Sequence, residues 1–205
     1  CMDDKLISAS VAKQIQERFR ARQESIEAFI KALVETESPS GDVVGSQAVV
    51  NLIAETASKL SCVNSVERHE VSGFGQHVVI NAFSENQTVG QVLMVAHTDT
   101  VHSLGSLAAR PWRKEDGKLY GPGVFDMKAS CATALEVLGV MEAFSLKPRC
   151  AVTIVLTCDE EVGSQSGWPL IEKTAKARNT LCSLVMEPPA PGGRVKTGRK
   201  GTGIY

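Results

Sequence analysis

No stretch of this 205-residue chain is apolar for long enough to cross a bilayer, and its first thirty residues carry too much charge to form the hydrophobic core of a secretion signal. An excess of one charge is lacking too. The 22 Lys and Arg residues stand against 23 Asp and Glu, which removes the broad positive field that nucleic acid or an anionic membrane would require. The six cysteines (Cys1, Cys62, Cys131, Cys150, Cys158, Cys182) form no C-x-x-C pair and mostly sit in apolar stretches, the usage of buried free thiols in a reducing compartment. A cytoplasmic location is expected on that ground. A periplasmic or secreted one is the alternative if a leader preceded Cys1, which is itself a conceivable lipid attachment point. Neither an internal repeat nor a long linker interrupts the chain. Phosphate-binding and dinucleotide glycine patterns are missing, and Gly163-Ser164-Gln165-Ser166-Gly167 has glutamine where a nucleophile-elbow serine would stand. Histidine is scarce: His69, His77, His97 and His102 are all there is, and none follows residue 102.

What is present suits one large globular unit, with 43% hydrophobic residues, enough for a substantial core. Residues from about Leu6 to Glu37 read as helix, their buried stripe being Ile26, Phe29, Ile30, Leu33 and Val34. Ser38-Pro39-Ser40-Gly41 breaks the chain before a second helix with Val49, Leu52, Ile53 and Leu60 inward. Strand signals follow at Asn64 to Val71, Gln76 to Ala82 and Val92 to Ala96. After Gly121-Pro122-Gly123, a helix is predicted from about Met127 to Phe144 with Cys131, Ala134, Leu135, Leu138 and Met141 on one face. A strand at Ala151 to Thr157, a helix at Trp168 to Ala177 and a strand at Cys182 to Met186 complete the pattern. In the second half of the chain helices alternate with wholly apolar strands, which predicts an α/β fold, a largely parallel sheet covered on both faces.

Three of those strands run directly into polar groups: Val92 to Ala96 into His97-Thr98-Asp99, Ala151 to Thr157 into Asp159-Glu160-Glu161, and Leu184 to Met186 into Glu187. Ligand sites of open α/β sheets lie beyond the carboxyl ends of the strands, so these tips converge on one crevice. Asp126, after the Gly-Pro-Gly turn, is either the N-cap of the following helix or a fourth contributor. Company with the other three tips favours the latter. Imidazole nitrogen with carboxylate oxygen is a ligand set that suits Zn²⁺. Asp99, two residues beyond His97, falls on the same side, where its carboxylate can hold the second ring nitrogen. Neighbouring Glu160 and Glu161 suit separate duties, one binding metal and the other taking a proton from an activated water. The bland alternatives are a solvated acidic loop and a satisfied histidine. His69 and His77 read as surface or satisfied strand residues, and His102 as a solvated loop residue.

These residues resemble the zinc-dependent hydrolases that include bacterial glutamate carboxypeptidase, acetylornithine deacetylase, succinyl-diaminopimelate desuccinylase and aminoacylase. The resemblance is carried by A-H-T-D-T-V (Ala96 to Val101), Y-G-P-G-V-F-D-M-K (Tyr120 to Lys128), T-C-D-E-E-V-G-S (Thr157 to Ser164) and M-E-P (Met186 to Pro188). It implies a three-layer α-β-α sandwich built on a largely parallel mixed sheet, incomplete in this chain. Two Zn²⁺ ions would occupy a complete site, with His97 and Glu187 on one, Asp126 bridging and Glu161 on the second. Glu160 would be the general base, Asp99 would orient His97, and the Asp126-Met127 peptide would be cis. Ala129-Ser130 departs from the two glycines common in relatives, though both replacements are small. The family draws its last ligand histidine from beyond an inserted lid. Residues 1–193 are therefore expected to be the N-terminal part of the catalytic domain and 194–205 the junction toward a lid and dimerisation domain, with little activity in this chain alone. Glutamate at position 187 is the pattern of carboxypeptidases and deacylases, so the expected substrate is a small peptide or N-acyl amino acid, and the expected product a C-terminal amino acid such as glutamate. Arg194 is a possible contact for a substrate carboxylate. The alternatives are an N-acyl amino acid deacylase and a non-catalytic metal-binding module, with a homodimer expected for the full-length protein.

Overall fold

The computed structural model describes residues 7–86 and 89–198. Cys1, the Leu6 start of the first helix and the end of the 194–205 junction lie outside the described residues. The single helix expected from Leu6 to Glu37 is two, α1 (Ala9–Ala21) and α2 (Gln23–Glu35), broken at Arg22 where φ is -99° and ψ is 4°. The break has a use. α1 buries none of its residues, whereas α2 turns Ile30, Leu33 and Val34 into the core. Arg22 itself reaches across to a bidentate pairing with Glu136, its Nη2 2.9 Å from Oε2.

The Ser-Pro-Ser-Gly break leads to α3 (Val43–Ala57), capped by Asp42 and buried along Val49, Val50, Ile53 and Ala54. Leu60 lies beyond the end of α3 but still packs against the core. β1 (Val63–Val71), β2 (Gly75–Ala82) and β3 (Gln91–His97) follow, then a single helical turn, α4 (Ser106–Ala109). A hairpin that the sequence reading passed over comes next, β4 (Arg113–Glu115) and β5 (Lys118–Tyr120). Its turn is Asp116-Gly117, both at positive φ (49° and 71°), the two-residue loop that Asp-Gly favours. The remaining elements are α5 (Ala129–Ala143), β6 (Ala151–Thr157), α6 (Gly167–Ala177) and β7 (Thr180–Val185).

The sheet order is β1-β2-β6-β3-β7. β3 runs parallel to both β6 and β7, while β1–β2 and β2–β6 are antiparallel, so the sheet is mixed. Every residue of β2 and β6 is buried, because helices cover both sheet faces; β6 is almost wholly apolar, whereas β2 also buries Gln76, His77 and Asn81. α2, α3 and α5 pack on one face around Leu33, Ile53, Ile80, Leu135, Leu138 and Ile154. On the other, Leu170, Ile171 and Ala175 of α6 pack against Val79, Leu93 and Val155. This is the three-layer α-β-α arrangement that the sequence implied. The two edge strands are less covered: β1 has no buried residue, and β7 leaves Leu181, Leu184 and Val185 exposed. Among the described residues the five cysteines Cys62, Cys131, Cys150, Cys158 and Cys182 are free thiols. Cys182 is exposed on β7 rather than buried. No helix among those residues is long and apolar enough to cross a membrane.

Candidate metal centre

Parallel register brings three strand ends level. His97, the last residue of β3, pairs with Thr157, the last of β6, and Val95 pairs with Val185 of β7. Two residues beyond that last pair, Glu187 falls beside His97. The Met186 amide donates to Val95 O at 2.9 Å and keeps the two segments together as they leave the sheet. The fourth contributor arrives through the Gly-Pro-Gly turn. Gly123 has φ +69°, and a Cβ there would lie 2.5 Å from Thr100 Cγ2, so only glycine lets the turn close on the His-Thr-Asp-Thr loop. Asp126 and Met127 then take non-helical conformations inside a wide turn at Val124–Lys128, joined by a cis peptide bond. α5 begins only at Ala129, two residues later than predicted, and no side chain caps it, so Asp126 is not its N-cap.

Donor atoms of His97, Asp126 and Glu187 lie within 4.8 Å of one another. His97 is 1% exposed, and its Nε2 is 3.1 Å from Asp126 Oδ1, 3.5 Å from Glu187 Oε1 and 3.9 Å from Glu160 Oε2. Glu161 stands apart from that group. It shares with Asp126 a cleft of about 200 Å³ that is also lined by His102 and Phe125. His102, read as a solvated loop residue, is thus half-buried at the cleft wall, with Arg110 Nη2 3.2 Å from its Nδ1. Arg194 is remote in its contacts, its Nε donating to Pro191 O at 3.1 Å.

Asp99 does more than the sequence suggested. His97 Nδ1 lies 3.0 Å from the Asp99 backbone carbonyl and 3.4 Å from its carboxylate, so the carbonyl shares the task of fixing the ring. Either acceptor requires a proton on Nδ1, which leaves Nε2 facing the carboxylates. Meanwhile the Asp99 carboxylate accepts from Ser40 Oγ (2.6 Å), the Glu160 amide (3.2 Å) and the Glu161 amide (3.1 Å). Sequence reasoning missed Ser40, and nothing in a Ser-Pro-Ser-Gly break signals a partner 59 residues away.

Electrostatics follow from this crowding. Burial opposes a charge on His97, but the Asp99 hydrogen bond and the charges of Asp99, Glu187 and Glu160 outweigh it and raise its pKa to about 9. Burial raises the Glu187 and Glu161 carboxyls, and repulsion from Asp126 and Glu160 adds to it, with His97 pulling the other way. Carboxylates gathered on one imidazole are a site short of positive charge. Nitrogen and oxygen donors at these separations fit a divalent ion such as zinc.

A sequence profile of peptidase family M20/M25/M40 matches residues 93–200, more than half of the chain. Carboxypeptidase G2 of Pseudomonas sp. (strain RS-16) is 30% identical over 179 residues, covering 85% of this chain and 42% of that protein. Succinyl-diaminopimelate desuccinylase of Verminephrobacter eiseniae is 36% identical over 123 residues, covering 56% of this chain and 31% of that protein. The chain thus spans well under half the length of these curated relatives. Among solved structures, human carnosine dipeptidase 1 superposes with a TM-score of 0.67 at 19% identity, over 87% of this chain and 41% of that one. An M20 family metallo-carboxypeptidase from Sulfolobus solfataricus gives 0.65 at 20% identity, over 83% and 39%. At such identities the superpositions speak for the fold alone.

Proposed function

Because the chain belongs to peptidase family M20/M25/M40, a family of metallopeptidases and amidohydrolases, we propose that its site holds two zinc ions and hydrolyses an amide bond to release a C-terminal amino acid. His97 and Glu187 would hold one ion, Asp126 would bridge, and Glu161 would hold the second. Zinc bound there supplies a Lewis acid that brings the pKa of a water to roughly 7 and polarises an amide carbonyl. The chain's own residues do the rest. Glu160 takes the proton of the attacking water on its carboxylate and returns it to the leaving nitrogen. Asp99 keeps His97 in the tautomer whose Nε2 faces the ion. The observation that carries this reading is the convergence of Asp126, Glu187 and Glu160 on Nε2 of one buried histidine.

Glu160→Gln in the full-length protein is expected to lower turnover of an N-acyl glutamate by about 10²- to 10⁴-fold with zinc content unchanged. Near-normal turnover by that variant with zinc still bound would refute the assignment. Similarity to a succinyl-diaminopimelate desuccinylase supports a second reading, a deacylase acting on an N-succinyl amine. Hydrolysis rates of a glutamyl amide and an N-succinyl diamino acid, measured side by side, separate the two.

A further inference from the structure

The Asp159-Glu160-Glu161 loop is also met by a buried polar chain that the proposed reaction does not use. His77 of β2 is 2% exposed and Asp159 is 1% exposed. β2 pairs Val78 with Leu156 of β6, so His77 sits beside the point where β6 ends and the loop starts. The Cys158 amide donates to His77 Nδ1 at 3.1 Å, and the Cys158 Sγ lies 3.3 Å from the same nitrogen. An N–H donor fixes Nδ1 as an acceptor, so the neutral ring carries its proton on Nε2. That Nε2 is 3.0 Å from Ser166 Oγ, which must accept there and donate onward to Asp159 Oδ2 at 2.7 Å. Asp159 also takes the Ser166 amide at 2.7 Å and the Gly167 amide at 3.2 Å. A Cβ on Gly167 would lie 2.7 Å from Asp159 Oδ1, so the contact leaves no slack.

Every proton in this chain is directed by one backbone amide, and its far end is the residue preceding Glu160. The loop is gripped twice: the Asp99 carboxylate accepts from the Glu160 and Glu161 amides, and His77 reaches Asp159 through Ser166. We propose that His77 is a positioning residue, held in its Nε2–H tautomer by the Cys158 amide, that orients the Glu160 carboxylate through Ser166 and Asp159. This rests on the reading of Glu160 as the base.

Two measurements test it. Nitrogen-15 NMR of the histidine rings in metal-free protein is expected to show His77 with Nδ1 unprotonated and Nε2 protonated; the opposite tautomer would overturn the proposal before any activity is measured. In the full-length zinc enzyme, Ser166→Ala interrupts the chain while leaving His77 and the core in place. The expected result is a fall in kcat of about 10- to 100-fold with KM and zinc content within about twofold, restored by Ser166→Thr, which returns the hydroxyl. A purely structural role would lower thermal stability and leave kcat per folded, zinc-loaded molecule unchanged, and that outcome sinks the inference. Glu160→Gln serves as the reference. If it keeps activity, the reading of the base has failed; if it is inactive while Ser166→Ala is fully active, only the positioning role has failed.

Discussion

Asparagine in place of Asp99 is nearly isosteric and tests the geometry around His97 without creating a cavity. The carboxylate has donors on both oxygens: Oδ1 faces the Glu160 amide at 3.2 Å, and Oδ2 faces the Ser40 hydroxyl at 2.6 Å and the Glu161 amide at 3.1 Å. An asparagine NH₂ must replace one of those oxygens. On the Oδ1 side it would confront the Glu160 N–H and the proton on His97 Nδ1; on the Oδ2 side Ser40 can rotate to accept, but the Glu161 N–H is left facing another donor. The second arrangement costs less and still orphans one amide in a site where Asp99 is 3% exposed. Leaving such a group unsatisfied costs about 1–3 kcal/mol, or roughly 2–12 °C of melting temperature at about 2–4 °C per kcal/mol for chains of this size. Glu161 should move with its amide, and zinc binding should weaken about 10- to 100-fold. Urea and thermal unfolding of metal-free protein measure the first effect, and competition with a chromophoric chelator the second. A variant as stable as the parent within about 0.5 kcal/mol, the range of an ordinary surface substitution, and with unaltered zinc affinity, would refute the account of how the loop is held.

Further expectations concern the supports of the site. Lys128, 2% exposed, donates from Nζ to Leu33 O at 2.8 Å and Thr36 O at 2.5 Å, closing the end of α2. Lys128→Met should therefore lose about 1–3 kcal/mol in urea unfolding through the stranded carbonyls, and no loss would mean that those carbonyls have other partners. Glu37 accepts from the Gly105 and Leu107 amides, each at 2.8 Å, and these bonds lower its pKa. Being depressed in the folded state, it stabilises the fold above the ordinary glutamate pKa and loses that contribution as pH falls through the folded value. Glu37→Gln should thus be less stable than the parent at neutral pH and converge with it below about pH 4; a pH-independent difference would contradict the assignment. Gly123→Ala places a Cβ 2.5 Å from Thr100 Cγ2 at positive φ. It should cost more than about 1 kcal/mol and weaken zinc binding in the same chelator assay, whereas a neutral result would show that the turn can shift.

Much of the architecture was legible because it depends on local patterning. β3 and β6 are each continuous and apolar, and α5 carries its buried face at regular spacing, so type and order could be read from periodicity. The failures have physical causes. The first helix breaks at Arg22 without glycine or proline, at a residue whose side chain pairs with Glu136 more than a hundred residues away. The β4–β5 hairpin is short and polar, and only its Asp-Gly turn and the Arg113 guanidinium stacked 4.0 Å over Tyr120 mark it.

The same division runs through the site. Placing His97, Glu160, Glu161 and Glu187 at the carboxyl ends of apolar strands needs only the sequence, because parallel strands must present those ends on one side. Which side chains meet is a different matter. That Asp126, Glu187 and Glu160 approach one ring nitrogen while Glu161 lines a cleft it shares with Asp126 is fixed by strand register and by the backbone path through Asp126-Met127. That Asp99 is held by Ser40, and Asp159 by Ser166 and His77, depends on hydrogen bonds between segments far apart along the chain. Such bonds form only once packing has excluded water and brought donor and acceptor together, and local sequence carries no record of the partner.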